Sequence, residues 1–204
     1  MAKKNPRSET LEARLLEAAL PDVAFDGWSD ELIAKAAARS RISEDDATEA
    51  FPQGPLSLVR YFSEWADDQT LAKLPAQKLA KLKVREKITL GVRTRLECLA
   101  PHRQAVSAAL AFLALPPRNI YLPKMVWATA DKIWRAAGDT ATDYNHYTKR
   151  LLLSGVLTST TLYWLNDKSE GSENTWKFLD RRIEDVLKVG GKIAAFRKKR
   201  RESA

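Results

Sequence analysis

Residues 151–166 read Leu151-Leu152-Leu153-Ser154-Gly155-Val156-Leu157-Thr158-Ser159-Thr160-Thr161-Leu162-Tyr163-Trp164-Leu165-Asn166 and carry no charged side chain. Leu151 to Leu157 is apolar nearly all round. It lacks the period-2 alternation of a half-buried strand, which predicts the central buried helix of a helical fold. The run is shorter than the ~20 apolar residues of a membrane span, and Ser154, Thr158, Ser159, Thr160 and Thr161 interrupt it. Thr142 or Asp143 caps this helix, and it ends at about Leu165. Before it, Gly138 closes a helix over 122–137 that carries Val126, Thr129, Ile133 and Trp134. After it, Ser172 opens a helix whose stripe is Trp176, Leu179, Ile183, Val186 and Leu187, and Gly190-Gly191 end that helix.

Helix signals fill the rest of the chain. Residues 10–24 place Leu11, Leu15, Ala18 and Ala19 on one stripe. Ser29 is an N-cap, with Asp30 and Glu31 in the first turn where the helix dipole favours acids, and that helix runs to about Arg39. Ser43 caps a short third helix that ends before Pro52, and Gly54-Pro55 start a fourth segment. A long helix is predicted from Pro75 toward Leu99, Pro101 opens the next, and Pro116-Pro117 stop it. Only 8 glycines and 9 prolines are too few for the turns of an all-β chain. The pattern predicts an all-α fold of about nine helices. Its parts are a basic tail at 1–9, a three-helix part at 10–53, a helical domain at 54–189 and a basic tail at 190–204.

The 204 residues hold 34 Lys and Arg against 26 Asp and Glu, a net charge of +8. Residues 1–9 supply +2 of it and residues 188–204 supply +6, so residues 10–187 hold 24 basic and 24 acidic side chains. A neutral body with basic ends suits a peripheral contact with an anionic surface better than a body-wide nucleic-acid groove. The N-terminus is charged and then amphipathic, so no signal peptide is expected. One cysteine excludes an internal disulfide, and with His102 and His146 alone no typical zinc site can be built. There is no Glu-x-x-His pair, no Gly-x-x-x-x-Gly-Lys and no Gly-x-Gly-x-x-Gly. Cys98, beside Leu96 and Leu99, reads as a buried small hydrophobe. No metal, no cofactor and no catalytic activity are predicted.

Leu16-Glu17-Ala18-Ala19-Leu20, Gly27-Trp28-Ser29, Leu32-Ile33-Ala34, Ile42-Ser43 and Phe51-Pro52 are similar to the DNA-binding end of TetR-type repressors. In such proteins the third helix lies in the major groove and needs side chains for phosphates and base edges. Here Ser43–Phe51 contains Glu44, Asp45, Asp46 and Glu49 and no Lys or Arg. Four carboxylates facing phosphates would repel them and forgo counterion release. The acidic run is either a solvated helix face or a reading scaffold put to another use, and both count against sequence-specific DNA binding.

Three further stretches are distinctive. One is Trp134-Arg135-Ala136-Ala137-Gly138-Asp139-Thr140-Ala141-Thr142-Asp143-Tyr144-Asn145-His146-Tyr147-Thr148-Lys149-Arg150. The others are Tyr163-Trp164-Leu165-Asn166-Asp167-Lys168-Ser169 and Thr175-Trp176-Lys177-Phe178-Leu179-Asp180-Arg181-Arg182-Ile183. With Gly27-Trp28 and Arg93-Thr94-Arg95-Leu96, they resemble the ubiquinone (coenzyme Q) biosynthesis accessory family, the ninth Coq protein, over roughly residues 11–190. The resemblance implies a TetR-like all-α fold, usually dimeric, that binds lipid in an apolar cavity and not DNA. It also implies a non-enzyme that presents polyprenyl quinone intermediates from the membrane to the di-iron demethoxyubiquinone hydroxylase, the seventh Coq protein. The location implied is cytoplasmic, peripheral at the inner membrane face in a bacterium, or the matrix side of mitochondria in a eukaryote. The alternative is a TetR-type transcriptional regulator with an apolar small-molecule effector.

The residues tolerate the lipid reading. The charge-free helices supply Leu110, Leu113, Leu152, Val156 and Tyr163, and Met125, Trp127 and Trp134 add aromatic and flexible surface, as cavity lining or as packed core. Asp143, Tyr147 and Arg150 fall at i, i+4, i+7, which reads as a helix cap with an ion pair. The resemblance makes Asp139, Asp143, Asn145, His146, Tyr147 and Arg150 contacts to the hydroxylase, His146 standing where relatives often have a large aromatic. The tail presents Phe196, Lys198, Lys199, Arg200 and Arg201, either as a peripheral membrane contact or as a solubilising tail.

Overall fold

The computed structural model describes residues 10–74, 79–142 and 144–202, with 189–202 described as backbone. Its first five helices are α1 (Leu11–Ala19), α2 (Val23–Asp26), α3 (Asp30–Ser40), α4 (Glu44–Ala50) and α5 (Pro55–Ala72). They are followed by α6 (Val84–Leu99), α7 (Arg103–Ala114), α8 (Tyr121–Ala136), α9 (Tyr144–Asn166) and α10 (Glu173–Glu202). No strand occurs among the described residues, as the missing period-2 pattern predicts. The chain divides into two compact units, Met1–Lys73 with Glu97–Met125, and Leu74–Leu96 with Val126–Ala204.

In the first unit the predicted caps are made. Ser29 Oγ accepts from the Leu32 N–H at 3.1 Å, and Ser43 Oγ from the Asp46 N–H at 3.1 Å. Helix α1 packs on α3, α4 and α5, burying Leu15, Leu16, Leu32 and Leu58. Trp28 lies under this core, donating from Nε1 to the Ala105 carbonyl at 3.1 Å with its ring 5.4 Å from Phe62. The helix expected over residues 10–24 is two helices, because Pro21 lacks an N–H and restricts Leu20 before it. Helix α4 buries Ala47 and leaves Glu44, Asp45, Asp46 and Glu49 exposed.

The second unit is built on Ile88, Val92, Ala130, Ile133, Leu153, Val156, Leu157, Leu179 and Ile183. Helices α6 and α8 approach closely at Gly91, where a Cβ would stand 2.8 Å from Ile133 Cγ2. Three expectations are corrected here. The helix expected from Pro75 to Leu99 is interrupted: Pro75 lies outside the described residues, residues 79–80 are helical, and after a turn at residues 81–82 helix α6 starts at Val84. There the Glu86 carboxylate reaches back to the Lys83 N–H at 2.7 Å, the reciprocal half of a capping box. Helix α9 is not buried all round: Leu153, Val156, Leu157 and Trp164 face inward, while Leu151 is 65% exposed and Leu162 50%. Helix α10 does not end at Gly190-Gly191 but continues to Glu202, since glycine in a helix interior costs only about 1 kcal/mol relative to alanine.

Asp167 fixes the start of α10. Its carboxylate accepts from the Thr175 hydroxyl at 2.6 Å and N–H at 2.9 Å, and from the Ser169 hydroxyl at 2.7 Å and N–H at 2.9 Å. The Thr175 hydroxyl above all, against the opposing effect of desolvation, holds this carboxyl well below the ordinary range. Among the described residues no single helix is long and apolar enough to cross a membrane.

Candidate functional site

The second unit contains a cavity of about 450 Å³. Its walls are Ile88 of α6, Trp134 and Ala137 of α8, Leu152, Leu153 and Val156 of α9, and Ile183 of α10, with Val84 and Leu187 among the remaining apolar lining. Three predicted lipid residues therefore meet there: Trp134, Leu152 and Val156. The other five do not. Tyr163 lies on the exposed side of α9, stacked on Phe178 at 4.5 Å, and Trp127 lies beside Tyr147 at 6.2 Å. Leu110, Leu113 and Met125 belong to the first unit, where Leu113 is fully buried. Val84, Ile88, Ile183 and Leu187 were missed as lining, although Ile183 and Leu187 stand on the helix stripe that the sequence displays after Ser172.

At one edge of this cavity the chain leaves α8 through a glycine turn. Gly138 takes φ +91°, a left-handed conformation that suits glycine. Its N–H donates to the Arg135 carbonyl at 2.9 Å and that of Asp139 to the Trp134 carbonyl at 3.0 Å, a Schellman closure. The turn is held by Lys87 Nζ on the Ala137 carbonyl at 3.1 Å. It delivers Asp139 to α9, where Lys149 Nζ meets Oδ1 and Arg150 Nη1 meets Oδ2, each at 2.5 Å. Arg150 Nε also donates to Asp131 Oδ1 at 2.9 Å, and Arg135 Nε to Asp131 Oδ2 at 2.6 Å. Trp134 Nε1 donates to the Lys149 carbonyl at 3.1 Å, and the Lys149 ammonium stands 5.3 Å from the Trp134 ring centroid.

This network corrects the expected partner surface. Arg150 is 1% exposed and Asp139 is inward-facing, so neither side chain is open to another protein. Tyr147 is 61% exposed, so it and Arg150 do not share an outward face. The outward part of the expected patch is Asn145 and Tyr147, with half-buried His146, whose Nδ1 lies 3.0 Å from the Ala141 carbonyl. Asp143 lies outside the described residues, as do the side chains of Phe196, Lys198, Lys199, Arg200 and Arg201.

Desolvation works against the charges on Asp131 and Asp139, yet their hydrogen-bonded cations outweigh it and hold both carboxyls below the ordinary value. Their stabilising contribution is complete above the unfolded-state value of about 3.9 and is lost as pH falls through the lowered folded values. Asp167 acts in the same direction. Urea midpoints followed downward from neutral pH are expected to fall steeply once the pH drops below about 4. In Asp139→Asn or Asp167→Asn the fall should be shallower, and an unchanged acid slope in both would refute the assignment.

The first unit holds a wider cleft of about 690 Å³ lined by Leu16, Glu17, Trp65, Gln69, His102 and Arg103 among others. It contains none of the predicted lipid residues and is more mixed in polarity. Burial there lowers the pKa of His102. Cys98 is buried, as its apolar neighbours predict. Among the described residues no cluster of three or more His, Cys, Asp or Glu could hold a metal.

Residues 121–190 match the COQ9 family model. Along 91% of its length the chain is 36% identical to the mitochondrial ubiquinone biosynthesis protein COQ9 of Xenopus tropicalis, covering 60% of that protein. Along 89% it is 31% identical to the mitochondrial ubiquinone biosynthesis protein COQ9 of Homo sapiens, covering 59% of it. The chain thus spans about three-fifths of the length of these relatives. Its fold is similar to the crystal structure of a TetR transcriptional regulator from Nitrosomonas europaea ATCC 19718. The TM-score is 0.69 and the identity 22%, covering 87% of this chain and 98% of that one.

Proposed function

The chain carries the COQ9 family segment at residues 121–190 and is a relative of the COQ9 ubiquinone biosynthesis proteins over about nine-tenths of its length, and on that premise we propose that it serves ubiquinone biosynthesis as a lipid-binding accessory protein. It holds the apolar part of a polyprenyl quinone intermediate and presents the compound to the demethoxyubiquinone hydroxylase, without catalysing a reaction itself. The observation that supports this most is the apolar cavity around Trp134, Leu152 and Val156. Each CH₂ taken from water there contributes about 0.8 kcal/mol. The hydroxylase meets the exposed side of α9 at Asn145, His146 and Tyr147, where aromatic side chains suit a protein interface. A homodimer and a peripheral membrane contact through Lys198-Lys199-Arg200-Arg201 complete the proposal.

Organic extraction of gently purified protein, followed by mass spectrometry, is expected to return a polyprenyl quinone or a related isoprenoid lipid. Protein that is lipid-free when taken from its own cells counts against the proposal. Tyr147→Lys is expected to weaken capture of the hydroxylase at least tenfold with an unchanged melting temperature, and undiminished capture removes that surface. The TetR-like fold favours one rival, a DNA-binding regulator. The carboxylates of α4 oppose it, and a mobility shift on duplex DNA near physiological salt would support it.

A further inference from the structure

The cavity of the second unit is lined mostly by apolar side chains, and its few polar groups are unequal in their hydrogen-bonding capacity. The polar side chains among its lining are Arg85, Asp139 and Lys149, besides the Trp134 indole. The Asp139 carboxylate is engaged on both oxygens, Oδ1 by Lys149 and Oδ2 by buried Arg150. The Trp134 N–H is taken by the Lys149 carbonyl and the Ala137 carbonyl by Lys87. Lys149 is different. An ammonium has three N–H donors and no acceptor, and Asp139 occupies one of them. Arg85 places one nitrogen on Glu184 at 3.1 Å and has further guanidinium donors beyond it. The polar side chains of the lining therefore offer spare donors and net positive charge to a bound molecule, while their one carboxylate is already shared between two cations.

We infer that Lys149 is the specificity-determining residue of this cavity, selecting amphiphiles whose head presents hydrogen-bond-accepting oxygens, such as a quinone ring, over hydrocarbon of the same tail. The inference rests on the lipid-carrier reading and adds an orientation to it, with the ring at the edge formed by Trp134, Asp139 and Lys149 and the tail along Ile88, Leu152, Val156 and Ile183. Two features favour an acceptor head there. The Lys149 side chain is 36% exposed, so its further donors stand at the open edge of the cavity, where a carbonyl or ether oxygen takes the place of water without loss of hydrogen bonding. The Lys149 ammonium is also positioned by its contacts with Asp139 and the Trp134 ring, so little side-chain freedom remains to be lost on binding. A cationic head group would meet the like charges of Lys149 and Arg85, and the one carboxylate of the lining is already paired with Lys149 and Arg150.

The test uses the full chain, a ubiquinone bearing three isoprene units, and β-farnesene, a hydrocarbon with the tail alone, in equilibrium dialysis. Lys149→Met removes the donors while keeping a long apolar stem, and Lys149→Arg restores them. Lys149→Met is expected to bind the quinone at least tenfold more weakly than the native chain, with Lys149→Arg within threefold of native and farnesene binding within threefold in all three proteins. Quinone affinity unchanged in Lys149→Met overturns the inference and leaves the lipid reading standing. Equal weakening of quinone and farnesene also overturns it, since Lys149 then acts through the shape of the cavity. A native chain that binds neither compound overturns the lipid reading, and the inference falls with it.

Discussion

Arg150→Ala is expected to lower the folding free energy by about 3–5 kcal/mol, a large share of the stability of a domain of this size. Arg150 is 1% exposed, and its guanidinium joins Asp131 of α8 to Asp139 of the following turn. Removing it strands two carboxylates, of which Asp139 is nearly buried, with less positive charge than their burial requires. The cost is the desolvation of those groups more than the lost attraction. Arg135→Ala is the control. Arg135 pairs with the same Asp131 but is 69% exposed, and an exposed pair contributes about 0–1 kcal/mol. Urea denaturation of both variants, with the slope checked for constancy, separates the cases. Similar losses in the two would show that the buried position carries no special weight.

The same residue shows how far the sequence could be read. The spacing of Asp143, Tyr147 and Arg150 suggested a cap with an ion pair; Asp143 lies outside the described residues, and Arg150 makes ion pairs with Asp131 and Asp139, which the spacing did not point to. Periodicity finds faces of one helix, and it cannot say which face a neighbouring helix covers. That is why Leu151 and Leu162 lie exposed on a helix whose pattern is apolar nearly all round. Local chemistry was more legible. Ser29 and Ser43 cap helices and Gly138 ends one, because each outcome depends on a side chain and its own backbone. Pro21 had the same legibility, and the helix over 10–24 breaks there for the reason proline always supplies. The cavity was the least legible feature. Val156 and Leu157 are neighbours in one apolar run and both are buried, yet only Val156 is among the residues lining the hollow. A void is defined by what three other helices fail to fill, and no single stretch encodes that.

Leu152→Trp is expected to reduce the polyprenyl lipid recovered with the protein at least tenfold while leaving the fold intact. Leu152 is half-buried and lines the cavity, so an indole in its place grows into a hollow of about 450 Å³ and not into a packed core. Overpacking a filled interior costs about 1–3 kcal/mol, but filling an apolar void restores contacts that its lining lacks, which offsets part of that cost. Stability should therefore change by about 1 kcal/mol or less in either direction. Leu162→Trp places the same group on the exposed side of the same helix, where it meets solvent, and should leave lipid recovery unchanged. The pair isolates the cavity from any general effect of a tryptophan on α9. Loss of lipid in both variants would point to a binding surface outside the hollow. Retention of lipid in a folded Leu152→Trp protein would show that the hollow is not where the lipid lies, whatever the family of the chain.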